Sequence, residues 1–176
     1  MRKLSRRGLT AVSSLAIALL IALAPATAGA ASTRAEYIAQ VDPICQSFQA
    51  PLTGAFNAYH RAFKAMNKNA KSGSFKAFVR SIKRTARTLN SVAQLHAGLI
   101  GQIGAVPPPT ADAAIVAAWL DALRREQSYE VAARSALLQF RFGPFFKRLN
   151  QADGAVNDAS TAIAGYGFAV CGVTVS

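Results

Sequence analysis

Residues 74–103 read SFKAFVRSIKRTARTLNSVAQLHAGLIGQI, and their pattern decides the fold class. The apolar residues recur every three or four positions and share one face of a helical wheel: Phe75, Phe78, Val79, Ile82, Ala86, Leu89 and Ala93. Basic residues lie on a face well away from these. The stretch therefore predicts one long amphipathic helix whose apolar face is covered by other helices.

The helical pattern continues on both sides, without any run typical of a β-strand. It predicts further helices over about 34–70, 111–142 and 144–165. Short turns separate the helices at Lys71–Ser74, at Pro107–Pro109 and at Gly143–Pro144, where a helix stop precedes a helix start. Four amphipathic helices joined by short turns pack most simply as an up-down-up-down bundle, so we expect one all-α domain over residues 31–176.

The first helix carries its own start signal and an interruption. Thr33 and Glu36 fit a capping box, in which each side chain accepts a hydrogen bond from the other residue's backbone amide. Asp42-Pro43 predicts a break, with Asp42 as a new N-cap and Pro43 at the first helical position. Pro51 is expected to add a second bend.

Residues 1–30 have the order of a secretory signal peptide: a basic start, an apolar run over 15–23 and small residues over 26–30. This order predicts cleavage after Ala30, with Ala28 as the alternative, and leaves no integral membrane segment in the mature chain. An uncleaved anchor is a second interpretation. Because residues 5–9 (SRRGL) resemble a twin-arginine signal, the general and twin-arginine pathways both stay open. We expect a secreted or extracytoplasmic protein of the cell envelope.

The chain has two cysteines, Cys45 and Cys171, and neither belongs to a C-x-x-C motif. In an exported protein such a pair predicts a structural disulfide. The bond closes a ring of nearly the whole mature chain, for which the loop-entropy relation gives about 4–5 kcal/mol of stabilisation.

Two short segments resemble a group of uncharacterised exported helical proteins common in actinobacteria. They are residues 37–45 (YIAQVDPIC) and residues 166–172 (YGFAVCG). The resemblance implies a disulfide-closed helical domain and no particular activity. Pro43 stands where these proteins are expected to have alanine, which again predicts a broken first helix.

The mature chain is strongly basic. The full sequence carries a net charge of +12, and removal of residues 1–30 leaves 16 basic against 8 acidic residues, or +8. No Asp or Glu occurs between Pro43 and Ala111, whereas nine basic residues lie between Arg61 and Arg87. The residues of a predicted polyanion-binding face form two stripes, one on each of the first two helices. They are Arg61, Lys64, Lys68, Lys76, Arg80, Lys83, Arg84 and Arg87. The alternative is two solvated helix surfaces, and the handedness of the bundle decides whether the stripes merge.

Glu126 and Glu130 are one turn apart and align with the apolar stripe of the third helix. Buried carboxylates need a cation, a proton or a basic partner, and His60 and His96 are the nitrogen donors in the sequence. A metal site from these four residues is the weaker alternative, because the Glu-x-x-His motifs of ferritin-like sites are absent. The preferred expectation is two ion pairs between residues four positions apart, Glu130 with Arg134 and Asp121 with Arg125.

No nucleophile elbow, P-loop or H-E-x-x-H motif occurs in the sequence. We therefore predict a non-catalytic binding or structural protein without a cofactor, with a basic face for an anionic envelope polymer or lipid head groups. Nucleic acid is not the favoured partner, and the oligomeric state is left open. The alternative function is a metal- or small-ligand-binding bundle centred on Glu126 and Glu130.

Overall fold

The computed structural model describes residues 33–171, and within this range the chain is a bundle of four helices without any strand. The helices are α1 (Arg34–Ala70), α2 (Phe75–Gly104), α3 (Ala113–Leu138) and α4 (Phe142–Ala162). A short 3-10 turn over Thr110–Asp112 precedes α3. The predicted all-α class is confirmed, whereas the predicted signal peptide 1–30 lies outside the described residues.

Consecutive helices pack against each other along the chain, α1 with α2, α2 with α3 and α3 with α4. Aromatic rings close the bundle between its first and last helices: the ring of Phe63 on α1 lies 6.1 Å from that of Phe145 and 6.2 Å from that of Phe146 on α4. The short turns make neighbouring helices antiparallel, as predicted for an up-down-up-down arrangement.

The apolar core consists of two clusters along the bundle axis. The terminal cluster lies near the disulfide and includes Tyr37, Val41, Cys45, Ile103, Val116, Trp119, Ile163 and Tyr166. The turn cluster lies nearer the α1–α2 and α3–α4 turns and includes Tyr59, Met66, Ile82, Leu89, Val92, Ala133, Leu137 and Phe145. On α2 and α3, the buried polar residues His96, Glu126 and Glu130 fall between the two clusters, so a polar layer interrupts the apolar core.

Helix α1 runs without a break through Pro43 and Pro51, so the predicted interruption at Asp42-Pro43 is wrong. The capping box at Thr33 and Glu36 is present, with both hydrogen bonds formed at 3.2 and 3.0 Å. An internal proline costs about 3 kcal/mol in an isolated helix. Burial of Tyr37 on the same helix, together with a covalent link from this helix to the chain end, offsets that cost.

The predicted disulfide between Cys45 and Cys171 is present, and it joins residues separated by 126 positions. Asp42 is part of the same junction rather than a helix cap. Its carboxylate accepts hydrogen bonds from the backbone amides of Ala169 at 2.9 Å, Val170 at 3.1 Å and Cys171 at 3.2 Å. The final segment is therefore held to α1 both by the covalent bond and by one carboxylate.

The predicted boundaries of the last two helices, 111–142 and 144–165, are wrong by a few residues at each end. Helix α3 ends at Leu138 because Phe140 takes a left-handed backbone conformation, with a φ of 59°. The amide of Arg141 then donates to the carbonyl of Ala136 at 2.9 Å, which is the closing bond of a Schellman motif. Glycine usually occupies this position, so an aromatic residue there gave no stop signal in the sequence.

Candidate functional site

The polar layer of the core brings together three of the four residues predicted for the metal alternative. His96 comes from α2, and Glu126 and Glu130 come from successive turns of α3. Their exposed fractions are 9%, 7% and 3%. A hydrogen bond of 3.0 Å joins His96 Nδ1 to Glu130 Oε2, and Glu126 Oε1 lies 3.6 Å from the same nitrogen. The two carboxylates are buried and converge on one imidazole.

Burial and like charge make the ionised form of Glu126 unfavourable. Burial raises the pKa of Glu126 from 4.5 to about 7, and the charges of Glu130 and Asp153 add to the rise against the opposing effect of His96. Burial alone lowers the pKa of His96, but the hydrogen bond and charge of Glu130 and the charge of Glu126 outweigh it, so the net shift is upward. When both carboxylates are ionised, the layer holds more negative charge than one imidazole neutralises.

All four helices surround this layer. From α1, the ring of Phe56 lies 5.8 Å from that of His96 and restricts the orientation of the imidazole. Burial raises the pKa of Tyr59, also on α1, and the nearby charges of Asp153 and Glu130 raise it further. Asp153 belongs to α4. The site is therefore an interior feature of the assembled bundle rather than of one hairpin.

The fourth predicted donor and the two predicted ion pairs do not form as expected. His60 is exposed, and its ring lies beside those of Phe56 and Tyr59 at 6.4 and 5.7 Å, outside the cluster. Glu130 pairs with His96 and not with Arg134. Asp121 pairs with Arg124, three residues away, because the next residue in the chain, Arg125, reaches across to Asp158 on α4. The positions of partners on other helices decided each of these pairs.

The second candidate region is basic and lies on the outside of the bundle. All eight residues of the predicted polyanion-binding face are exposed: Arg61, Lys64, Lys68, Lys76, Arg80, Lys83, Arg84 and Arg87. On α2, an open cleft of about 510 Å³ is lined by Arg80, Lys83, Arg84 and Arg87 together with Arg134 and Leu138 of α3. The α2 stripe thus borders α3, and Arg134, whose Nε is buried without a hydrogen-bond partner among residues 33–171, extends it.

Charge is segregated along the bundle. We call residues 61–87 and 134–148 the basic end: they contain nine and four basic residues, respectively, and no Asp or Glu. They flank the α1–α2 and α3–α4 turns, which lie in the same half of the bundle, where the rings of Phe78 and Phe142 stack at 5.8 Å. Within the described chain, none of these thirteen cations forms an ion pair.

The opposite half has balanced charges. The three remaining arginines of the described chain each pair with an aspartate, at N–O distances of 2.7, 2.7 and 3.0 Å: Arg34 with Asp112, Arg124 with Asp121, and Arg125 with Asp158. Asp112 also accepts a hydrogen bond of 3.1 Å from the hydroxyl of Tyr166. The excess positive charge of the bundle is therefore concentrated at the basic end.

Large apolar side chains are exposed at the same end. Phe75 was predicted to lie in the core, but it is 74% exposed, because it begins α2 at the tip of the α1–α2 turn and no helix covers it. Phe140 and Phe146, at and after the α3–α4 turn, are nearly half exposed. Sequence analysis missed this grouping, because periodicity identifies a helix face but not the point where the covering helix ends.

No family model matches the chain, and no curated protein or solved structure is significantly similar to it. Within residues 33–171, no helix has both the length and the apolar character needed to cross a membrane. The function is therefore inferred from the two regions described above.

Proposed function

We propose that this chain is an exported, non-catalytic binding module whose basic end attaches to an anionic surface of the cell envelope. The observation that carries this proposal is the segregation of charge. Thirteen cations share the basic end without an ion pair within the described chain, while the arginines of the other half are all paired. A field of one sign over half of a small domain attracts anionic partners and increases their rate of encounter.

Export is supported by the disulfide, because such bonds persist in oxidising compartments outside the cytoplasm. The signal-peptide pattern of residues 1–30 agrees with this location. Outside the cytoplasm the basic end meets anionic lipid head groups and envelope polymers, which are the partners that its charge favours.

The exposed phenylalanines favour a lipid surface over a polymer. Phe75, Phe140 and Phe146 lie among the cations of the basic end. Basic residues near an anionic bilayer contribute about 1 kcal/mol each, and apolar side chains that enter the interface add to this attraction. A polyanion in solution offers the charge but no apolar layer for these rings.

Binding of the purified, disulfide-bonded protein to phosphatidylcholine vesicles with and without phosphatidylglycerol tests the proposal. We expect co-sedimentation only with the anionic vesicles and a decrease in binding as salt is added. The key variant is Arg84→Gln/Arg87→Gln at the basic end. Its matched control is Arg124→Gln/Arg125→Gln, which removes the same net charge from the opposite half.

The basic-end variant should bind about thirtyfold more weakly, which corresponds to about 2 kcal/mol for two arginines, and the control should bind like the unmodified chain. Equal losses in the two variants would show that net charge alone acts, and the basic end would not be a site. Retention on polyphosphate without binding to anionic vesicles would show that the partner is an anionic polymer and not a lipid surface.

A further inference from the structure

We infer that His96, Glu126 and Glu130 form a binding site for one divalent transition-metal ion, for which Zn²⁺ is the probe. The site is independent of the proposed attachment of the basic end, because it lies inside the bundle and shares no residue with that surface.

The spacing of the three side chains suits a metal ion. One ligand atom from each of the three side chains lies within 4.8 Å of the other two. Ligand bonds of 2.0–2.2 Å in a tetrahedral site place ligand atoms about 3.3–3.6 Å apart. The 3.0 and 3.6 Å distances from His96 Nδ1 to the two carboxylates already span this value. Small side-chain rotations are therefore enough to enclose an ion.

The carboxylate of Glu126 lacks a hydrogen-bond donor among residues 33–171. Glu126 is about nine-tenths buried, points at His96, and has no hydrogen bond to any residue of the described chain. Its contact is the 3.6 Å approach to His96 Nδ1, whose hydrogen bond goes to Glu130, so the desolvation of the Glu126 carboxylate is only partly offset. A cation held between Glu126, Glu130 and the imidazole gives Glu126 a direct contact and neutralises both carboxylates.

The ligand set selects the class of ion. Two carboxylates and a neutral imidazole balance the charge of one divalent cation. One nitrogen and two oxygens suit Zn²⁺ and its first-row neighbours, whereas Ca²⁺ takes six to eight oxygen ligands. Three protein ligands leave one position of a tetrahedral site for water. The side chains of His96 and Glu126 keep about a tenth of their surface exposed, which gives an ion a way in.

The experiment is calorimetric titration of the chelator-treated, disulfide-bonded protein with Zn²⁺, together with thermal unfolding. We expect one ion per chain and a rise in Tm on the order of 5 °C at a hundredfold excess over the dissociation constant. Glu126→Gln keeps the side-chain volume and should weaken binding at least tenfold. His60→Gln removes the other histidine, which lies outside the cluster, and should leave binding unchanged.

Three results would overturn the inference: no saturable uptake of Zn²⁺ by the unmodified protein, equal affinity in Glu126→Gln, or loss of binding in His60→Gln. If His96→Gln fails to fold, the Glu126→Gln and His60→Gln pair still decides the outcome. Vesicle binding by all of these variants should match that of the unmodified protein, so a failure of the metal site is distinguishable from a failure of the basic end.

Discussion

Because Glu126 is buried in the polar layer of the core, we expect Glu126→Gln to stabilise the metal-free protein. The stabilisation should be larger at high pH than at low pH. Glu126 is 7% exposed and lies one helical turn from Glu130. Its ionised form is disfavoured by lost hydration and by a like charge. Glutamine has nearly the same shape and removes that charge.

The magnitude follows from the pKa of Glu126, which is 4.5 in its ordinary state and about 7 in the folded protein. Between these two pH values the folded state binds more protons at this carboxyl than the unfolded state. The stability of the unmodified protein therefore falls as pH rises through this window. The raised pKa of Glu126 lowers the free energy of unfolding by about 1 kcal/mol at pH 5 and by about 3 kcal/mol at pH 8.

Glutamine does not ionise, so the variant lacks this part of the pH dependence. Any constant cost of burying its amide cancels when the two pH values are compared. The stabilisation by Glu126→Gln should thus be about 2 kcal/mol larger at pH 8 than at pH 5. The charge of Glu126 also raises the pKa of His96, so the difference between the two pH values measures the coupled titration of Glu126 and His96.

Urea unfolding of both proteins at the two pH values, with chelator present, measures the difference. Asp121→Asn is the matched control, since Asp121 carries the same charge on α3 but is exposed and forms a surface ion pair. We expect it to change stability by less than about 1 kcal/mol at either pH. A gain from Glu126→Gln that is equal at the two pH values would refute the claim that this carboxylate is buried beside a like charge.

Three further predictions concern the ends of the bundle. Reduction of the bond between Cys45 and Cys171 should lower the free energy of unfolding by up to about 5 kcal/mol, and identical urea midpoints with and without reductant would contradict this. The hydrogen bonds from Arg34 lower the pKa of Asp112, so this carboxylate contributes stability above pH 3.8 that is lost as pH falls through its lowered pKa. Asp112→Asn should therefore flatten the acid limb of a stability–pH curve, and an unchanged acid midpoint would argue against the pair. Phe140→Gly relieves a left-handed backbone conformation that costs about 1–2 kcal/mol. It also removes a half-buried ring whose burial contributes a similar amount of free energy. The Tm of this variant should stay nearly constant while its affinity for anionic vesicles falls. A decrease in both Tm and affinity would show that Phe140 has a structural role instead.

The predictions that are correct are those whose deciding interactions are local. The capping box at Thr33, the four amphipathic helices and the first two turns depend on residues within a few positions of one another, whereas the predicted turn at Gly143–Pro144 is wrong, because both residues lie inside α4. The disulfide followed from the number of cysteines and the predicted compartment. A prediction fails where distant contacts outweigh a local signal: Pro43 lies in an unbroken helix that is linked to the end of the chain.

The candidate site shows the same division. The periodicity of α3 aligned Glu126 and Glu130 with its apolar stripe, and the structure buries both, whereas the preferred pairing of Glu130 with Arg134 is wrong. Nothing in the sequence distinguished His96 from His60, since each flanks an apolar stripe. The relative heights of α2 and α3 in the bundle bring His96 to the carboxylates, and they depend on the packing of both apolar clusters.

The helices and their apolar faces arise from neighbours three or four positions apart, and the excess of positive charge arises from composition, so the amino-acid sequence dictates all three. The side chains that contact each buried or charged group are decided only when the helices pack together. Packing alone put one histidine between two carboxylates, left thirteen cations without ion pairs within residues 33–171, and exposed the ring of Phe75 at the tip. Such contacts depend on the register between helices, which many apolar residues set together and no short motif specifies.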